Sequence, residues 1–177
     1  MFHPDTQFLI DRWLELARRP AVRGGVPPRS NFAPEVLGAR LQRAFLLQGS
    51  SPDARFRLCG SWLEGLQDRA LGGTRFMDVW CDSSTVLVAS ALAQSAREAR
   101  PVVIVAQRGA QAAPVEVSLA PLRDADGRST LLLGLVAPGG AIDAAADRVA
   151  SLTARLTVAA GDRGRPALSL IENRRSA

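Results

Sequence analysis

The sequence predicts an α+β fold: a five-stranded antiparallel sheet, short helices on one face and an N-terminal amphipathic helix. Three observations predict it. Apolar residues recur at helical spacing between Leu9 and Ala17. Short stretches at 44–48, 55–60, 102–107, 115–122 and 130–136 are apolar, and several alternate with period two. Between the second and third of these lies a long stretch whose spacing is helical again. Strands and helices are therefore grouped, as in α+β proteins, rather than alternating as in a parallel sheet.

In the first helix Leu9, Ile10, Trp13, Leu14, Leu16 and Ala17 form one broad stripe, with Asp11, Arg12, Glu15 and Arg18 between them. Asp5 or Thr6 is the expected cap, and Pro20 the stop. A polar linker over 24–30 and a short helix over about 34–42 lead into the body. Ala44–Gln48 is a short apolar strand. Arg55–Gly60 alternates, so Phe56 and Leu58 are expected on one face and Arg55, Arg57 and Cys59 on the other. Trp62–Trp80, broken by Gly65 and Gly72-Gly73, reads as two or three short helical turns. Asp82-Ser83-Ser84 offers caps for a helix to about Ala99. Val102–Gln107 is apolar on both faces. Val115–Leu122 alternates, Asp124-Ala125-Asp126-Gly127 is a hairpin turn, and Thr130–Val136 is the last strand. Beyond Gly140 a helix to about Arg148 is expected, followed by something less regular. The set Leu152, Ala154, Leu156 and Val158 fits a strand equally well, and the tail from Arg163 is expected to fray. The expected organisation is an N-terminal helix and linker over 1–32, a body over 33–138 and an extension over 139–177.

Composition excludes several functions. Cys59 and Cys81 are the two cysteines and His3 the one histidine, which leaves no disulfide framework, four-cysteine zinc site or two-histidine site. All 22 basic residues are arginine, which reads as the coding bias of a GC-rich bacterial genome rather than selection for phosphate binding. Residues 1–60 carry nine arginines against five acids, 61–140 seven against eight, and 141–177 six against four. The body is thus no nucleic-acid platform, and specific nucleic-acid binding is not expected. The N-terminus lacks the basic segment of a signal peptide, and no apolar run reaches the length of a membrane helix. The expectation is a soluble cytoplasmic protein with reduced thiols and no membrane insertion.

Four stretches carry a resemblance. They are His3-Pro4 before a helix containing Trp13; Phe56-Arg57-Leu58-Cys59-Gly60-Ser61; Leu71-Gly72 with Phe76 and Val79-Trp80; and Leu133-Gly134-Leu135-Val136-Ala137-Pro138. Over residues 3–138 the chain resembles the small, often stand-alone PAS-domain proteins of Alphaproteobacteria, PAS type 5. Cys59 and Ser61 stand where that family usually has alanine and threonine, and Gln67-Asp68 departs from a common glycine-arginine step. The resemblance implies a PAS-like sheet and a sensory or regulatory role through protein contacts. It also implies a homodimer, since PAS domains often pair through the outer sheet face and its flanking helix.

On this reading the inner sheet face (Phe56, Leu58, Val117, Leu119, Leu133 and Leu135) packs on Trp62, Leu66, Phe76, Trp80 and Leu92. Phe56, Leu58, Trp62, Leu66, Phe76, Trp80, Leu92, Val117, Leu119 and Leu133 are the candidates for lining a ligand cavity, with simple core as the plainer role. Leu132 and Val136 are expected on the outer face. With Leu9, Ile10, Trp13, Leu14 and Leu16 they are the interface candidates, the helix covering its own sheet or a partner's. Cys59 is expected on the outer face as a small apolar residue, or as a thiol whose pKa is lowered by Arg55 and Arg57. Arg57 is expected to pair with Asp78 or Asp68, the alternative being an anionic ligand. No asparagine-cysteine-arginine-phenylalanine motif is present for a flavin adduct, and no histidine lies in 82–99 to ligate haem, so no cofactor is expected. No nucleophile–base pair, paired carboxylates or metal cluster emerges, so catalysis is not expected. The leading reading is a non-enzymatic module that regulates an unidentified signalling protein through contacts, possibly tuned by a small ligand. The alternatives are a sensor whose cavity binds a small apolar or nucleotide molecule and shifts a dimer equilibrium, and a nucleic-acid-associated regulator using the arginine-rich ends.

Overall fold

The computed structural model describes residues 1–108, 114–140 and 151–161, and the backbone of 168–169. The first helix, α1, spans Pro4–Ala17. Pro4 takes the first helical position, where a missing N–H is no loss. His3 is the cap, its Nδ1 accepting the Asp5 amide at 3.1 Å. Neither Asp5 nor Thr6 caps the helix; both are buried within it. The Asp5 carboxylate instead holds Arg40 and Arg43, each at 2.7 Å, and so ties the start of α1 to the segment that precedes the sheet.

That segment is α2 (Pro34–Leu37), continued by a 3-10 turn over Gly38–Arg43. The strands β1 (Ala44–Gln48) and β2 (Arg55–Cys59) follow. Next come α3 (Ser61–Gln67), 3-10 turns at Phe76–Val79 and Asp82–Ser84, and α4 (Thr85–Glu98). The strands β3 (Val102–Arg108), β4 (Pro114–Leu122) and β5 (Leu131–Pro138) complete the expected set. Two further strands, β6 (Leu152–Ala159) and the two-residue β7 (Leu168–Ser169), extend it.

The sheet is antiparallel throughout and runs β2-β1-β5-β4-β3-β6-β7. It has seven strands where the sequence predicted five. The stretch after residue 151 is a strand paired with the free edge of β3, with an extra residue at Arg155, not an extension without secondary structure. The expected helix to Arg148 and most of the tail from Arg163 lie outside the described residues.

Two apolar layers sandwich the sheet. On the inner face α3, α4 and the turn at 76–79 bury Phe45, Leu47, Phe56, Val117, Leu119 and Ile104, among others. On the outer face Leu9, Trp13 and Leu16 of α1 bury Leu122, Leu131, Leu133 and Leu135. Ile10 and Leu14 pack toward Val103 and Ala160. The helix therefore covers its own sheet. Trp13 is 3% exposed, and its indole Nε1 donates to the Pro121 carbonyl at 2.7 Å.

Two strands face opposite to expectation. In β5, Leu133 and Leu135 lie on the outer face and Leu132 and Val136 in the inner core. Both faces of this strand are apolar, so alternation alone cannot orient it. Gly134 does: it lies directly across from Phe45, and a Cβ there would sit 2.0 Å from the ring's Cζ. The inner face of β5 is the one with the gap into which the ring fits.

The second reversal comes from a bulge. Leu46 pairs with Leu58 and Leu47 with Phe56, so Arg57 is the extra residue. One extra residue turns everything after it to the opposite face. Phe56 points into the inner core, whereas Leu58 shares the outer face with Leu46 and is 54% exposed. Cys59 goes inward with Phe45 and packs against the inner core, away from Arg55 and Arg57.

Candidate functional site

The inner-core candidates are packed together. Phe45, Phe56 and Phe76 lie 5.5–5.7 Å apart between ring centroids, and Trp80 adds a fourth ring 5.6 Å from Phe76. Phe56, Leu66, Phe76, Trp80, Leu92, Val117 and Leu119 are buried there, with Trp62 half-buried at the margin. Leu58 and Leu133 are not part of this core. The aromatic cluster lies among the residues that the sequence placed around a possible ligand.

Leu58 and Leu133 instead line a cleft of about 180 Å³ on the outer face. Its floor includes Leu46 and Leu133, its wall Phe32, Leu37 and Leu41, and its rim Arg29 and Leu58. Its formation is local and physical. Gly38, at φ +53°, reverses the chain between α2 and the 3-10 turn, setting that segment beside β1. Gly60 lets β2 end tightly against the turn, because a Cβ there would lie 2.2 Å from the Gln42 carbonyl oxygen. The Gly60 amide donates to Ala44 O at 2.8 Å. The bulge then turns Leu58 onto this face. Among the described residues the large, strongly exposed apolar side chains are Met1, Leu41, Leu58 and Val86, and two of these border the cleft.

Charge around the cleft is unbalanced. Arg29, Arg55 and Arg57 are exposed. Arg57 is not paired with Asp78 or Asp68: its Nη1 reaches only Gln48 Oε1 at 3.5 Å, while Asp78 is held by Arg75 at 3.1 Å. Arg40 and Arg43, on the same segment as the wall, are held by Asp5. Arg40 also lies 4.2 Å over the Phe8 ring.

The two thiols differ sharply. Burial, reinforced by the Glu64 charge, pushes Cys59 up to about 12, so it is a neutral apolar group at any physiological pH. Cys81 is the residue that sequence reasoning passed over. Burial alone would raise its pKa. Hydrogen bonds with Ser83 Oγ, Ser84 Oγ and Thr153 Oγ1, at 3.1, 3.0 and 3.4 Å, outweigh that and bring it down to about 7. Ser84 Oγ already accepts the Ala154 amide at 2.9 Å, which leaves its proton for the sulfur. The one sequence signal was the position of Cys81 immediately before the expected cap residues Asp82-Ser83-Ser84. None of these caps the helix by a side-chain hydrogen bond; Ser84 serves Cys81 and Ala154 instead. Thr153, from β6, had no signal at all. Among the described residues no cluster of His, Cys, Asp or Glu is able to hold a metal ion. No helix there is long and apolar enough to cross a membrane.

No curated protein matches the chain. Among solved structures it is similar to one titled "Structure of an RNA-binding Light-Oxygen-Voltage Receptor", with 18% sequence identity and a TM-score of 0.47. That alignment covers 68% of this chain and 36% of the receptor, so the chain spans about a third of that protein's length. A family model described as a PAS domain, type 5, matches residues 1–137. With the match covering most of the chain and the sheet built as above, the chain belongs to the PAS domain family.

Proposed function

We propose that this PAS domain is a non-catalytic regulatory module that acts by binding another protein at the outer-face cleft. The observation that carries the reading is the contrast between the two faces. The inner face carries four aromatic rings packed against one another. The outer face leaves Leu58 and Leu41 exposed beside an apolar cleft that α1 does not cover. Exposing a leucine by half forgoes about 1 kcal/mol of burial, which a partner recovers on binding. The cleft is also smaller than the roughly 300–1,000 Å³ of drug-sized ligand sites.

The test is site-specific photocrosslinking in the native host. A crosslinker placed at Leu58 is expected to trap a discrete protein adduct, whereas one at Val86, exposed elsewhere on α4, is not. Equal labelling from both positions, or none from Leu58, would remove this reading. One observation supports a small-ligand sensor as the second reading: Trp80 Nε1 is buried with no acceptor among the described residues. Native mass spectrometry separates the two. A stoichiometric small molecule retained through purification favours the sensor, and the bare polypeptide mass favours the protein-contact module.

A further inference from the structure

We infer that the occupant of the cleft is an acidic amphipathic helix of a partner protein. The inference rests on the protein-contact reading above and adds the chemistry of the partner.

Charge complementarity is the first argument. Arg29 stands on the rim, and Arg55 and Arg57 share the outer face of β2 with Leu58. None of the three has a carboxylate within ion-pair distance among the described residues. Their side-chain partners are neutral where they exist: Arg55 Nη1 donates to Gly73 O at 2.9 Å, and Arg57 touches Gln48. The carboxylates on the bordering elements are Glu35 on α2, Asp53 in the β1–β2 turn, Glu64 on α3, which accepts the Leu71 amide, and Asp124 and Asp126 in the β4–β5 turn, where Asp124 accepts the turn's own amides. None of these pairs with Arg29, Arg55 or Arg57, and the charged side chains on β2 itself beside the exposed leucine are the two arginines. An apolar cleft flanked by guanidiniums selects a partner that offers large apolar side chains flanked by carboxylates.

Backbone geometry is the second argument, and it decides between helix and strand. β2 is the edge of the sheet, yet it does not present a regular ladder. The Phe56 amide already donates to Thr74 O at 3.0 Å, and the Gly73 amide donates to Phe56 O at 2.7 Å. The bulge at Arg57 breaks the remainder. Strand addition needs consecutive free backbone groups, and this edge lacks them. What remains is recognition by side chains spaced along one face, which is how a helix fills a groove.

The experiment uses the full chain and three fluorescein-labelled synthetic peptides. One carries leucine at i, i+3, i+4 and i+7 with glutamate elsewhere. The second keeps the leucines and replaces glutamate by lysine. The third scrambles the first. In anisotropy titrations the glutamate peptide is expected to bind at least about tenfold more tightly than either control, and to weaken as salt is raised. Leu58→Asp is expected to weaken it by about tenfold or more. Arg29→Glu with Arg57→Glu is expected to abolish its advantage and to transfer it to the lysine peptide. All three side chains are exposed, so melting temperatures should hold; Leu58→Ser replaces Leu58→Asp should that variant melt lower. Equal binding of the glutamate and lysine peptides, no binding by any, or insensitivity to Leu58 overturns the inference. So does light scattering that shows a wild-type dimer and a Leu58→Asp monomer, which would make the occupant a second copy of the chain. A Leu58 crosslink that persists while the acidic preference fails would leave the protein-contact reading standing and sink only the partner's chemistry.

Discussion

Gly134→Ala should destabilise the protein, although by default the change works the other way. An alanine in a strand normally gains about 0.5–1 kcal/mol over glycine through the entropy of the unfolded chain. Here the new Cβ would lie 2.0 Å from Phe45 Cζ and 2.1 Å from Cε2. The ring must therefore retreat by well over an ångström. Phe45 is 2% exposed, with Phe56 and Phe76 at 5.5 and 5.6 Å between centroids, so nothing behind it yields freely. Overpacking of this kind costs about 1–3 kcal/mol and wins over the entropic gain. For a chain of 177 residues that is a fall in Tm of roughly 2–10 °C. The decisive assay is a double-mutant cycle in urea unfolding. Phe45→Leu alone leaves a gap and destabilises by cavity formation. Combined with Gly134→Ala, the methyl enters that gap, and the double variant should be more stable than the two single costs predict by about 1–2 kcal/mol. A neutral Gly134→Ala, or strict additivity, would refute the argument that this glycine exists to seat the ring and orients β5.

Other expectations follow from the same contacts. Cys81 should react with iodoacetamide with a midpoint near pH 7, while Cys59, held up at about 12, should stay unmodified in the folded protein, as peptide mapping would show. Ser84→Ala removes a donor to the thiolate, so the Cys81 midpoint should move to higher pH; an unchanged midpoint would mean that the hydroxyls do not set it. Folding should likewise gain stability from Cys81 as pH rises from about 7 toward the unfolded thiol's range near 9, and lose it as pH falls through 7, a dependence absent in Cys81→Ala. Trp13→Glu should lower Tm steeply and favour aggregation, because the indole is buried against its own sheet; a folded variant of unchanged Tm would show that α1 does not hold that sheet. Asp5→Asn should cost about 1–3 kcal/mol in urea unfolding by releasing Arg40 and Arg43, both only partly buried.

Where the sequence was readable, one physical signal stood unopposed. The stripe of α1 admitted a single burial face, and it is buried as a stripe. The Asp-Gly turn fixed the β4–β5 hairpin, in which Asp124 accepts the amides of Asp126 and Arg128. Reading failed where two signals competed. Leu131, Leu133 and Leu135 outweigh Leu132, Gly134 and Val136 in apolar bulk, so bulk pointed to the wrong face. The correct clue was an absence of bulk, since Gly134 marks the approach of a ring from a strand 89 residues away (Phe45). Likewise β6 is stabilised by pairing with β3, a non-local contact that no window around residue 152 contains. From within, Leu152 and Leu156 fit a helical spacing with Ile142, Ala145 and Val149 as well as they fit alternation with Ala154 and Val158.

The candidate site was hidden by the most regular-looking part of the sequence. Arg55–Cys59 alternates so evenly that it invites an unbroken strand, with Phe56 and Leu58 side by side in the core. The inner face cannot take both. Phe56 already closes on Phe45 and Phe76, and the chain must also end at Gly60 beneath Gln42, where no Cβ fits. An extra residue at Arg57 satisfies both constraints, and it has two consequences together. It sends Cys59 inward, where burial silences the thiol. It also sends Leu58 outward beside Arg55 and Arg57, creating an apolar side chain in a cationic setting that folding itself does not need. A leucine displaced to the surface by a bulge, next to a ready cleft, leaves burial free energy unused in the isolated chain. That unused burial is the ground on which the Leu58 face is proposed as the docking surface of this PAS domain.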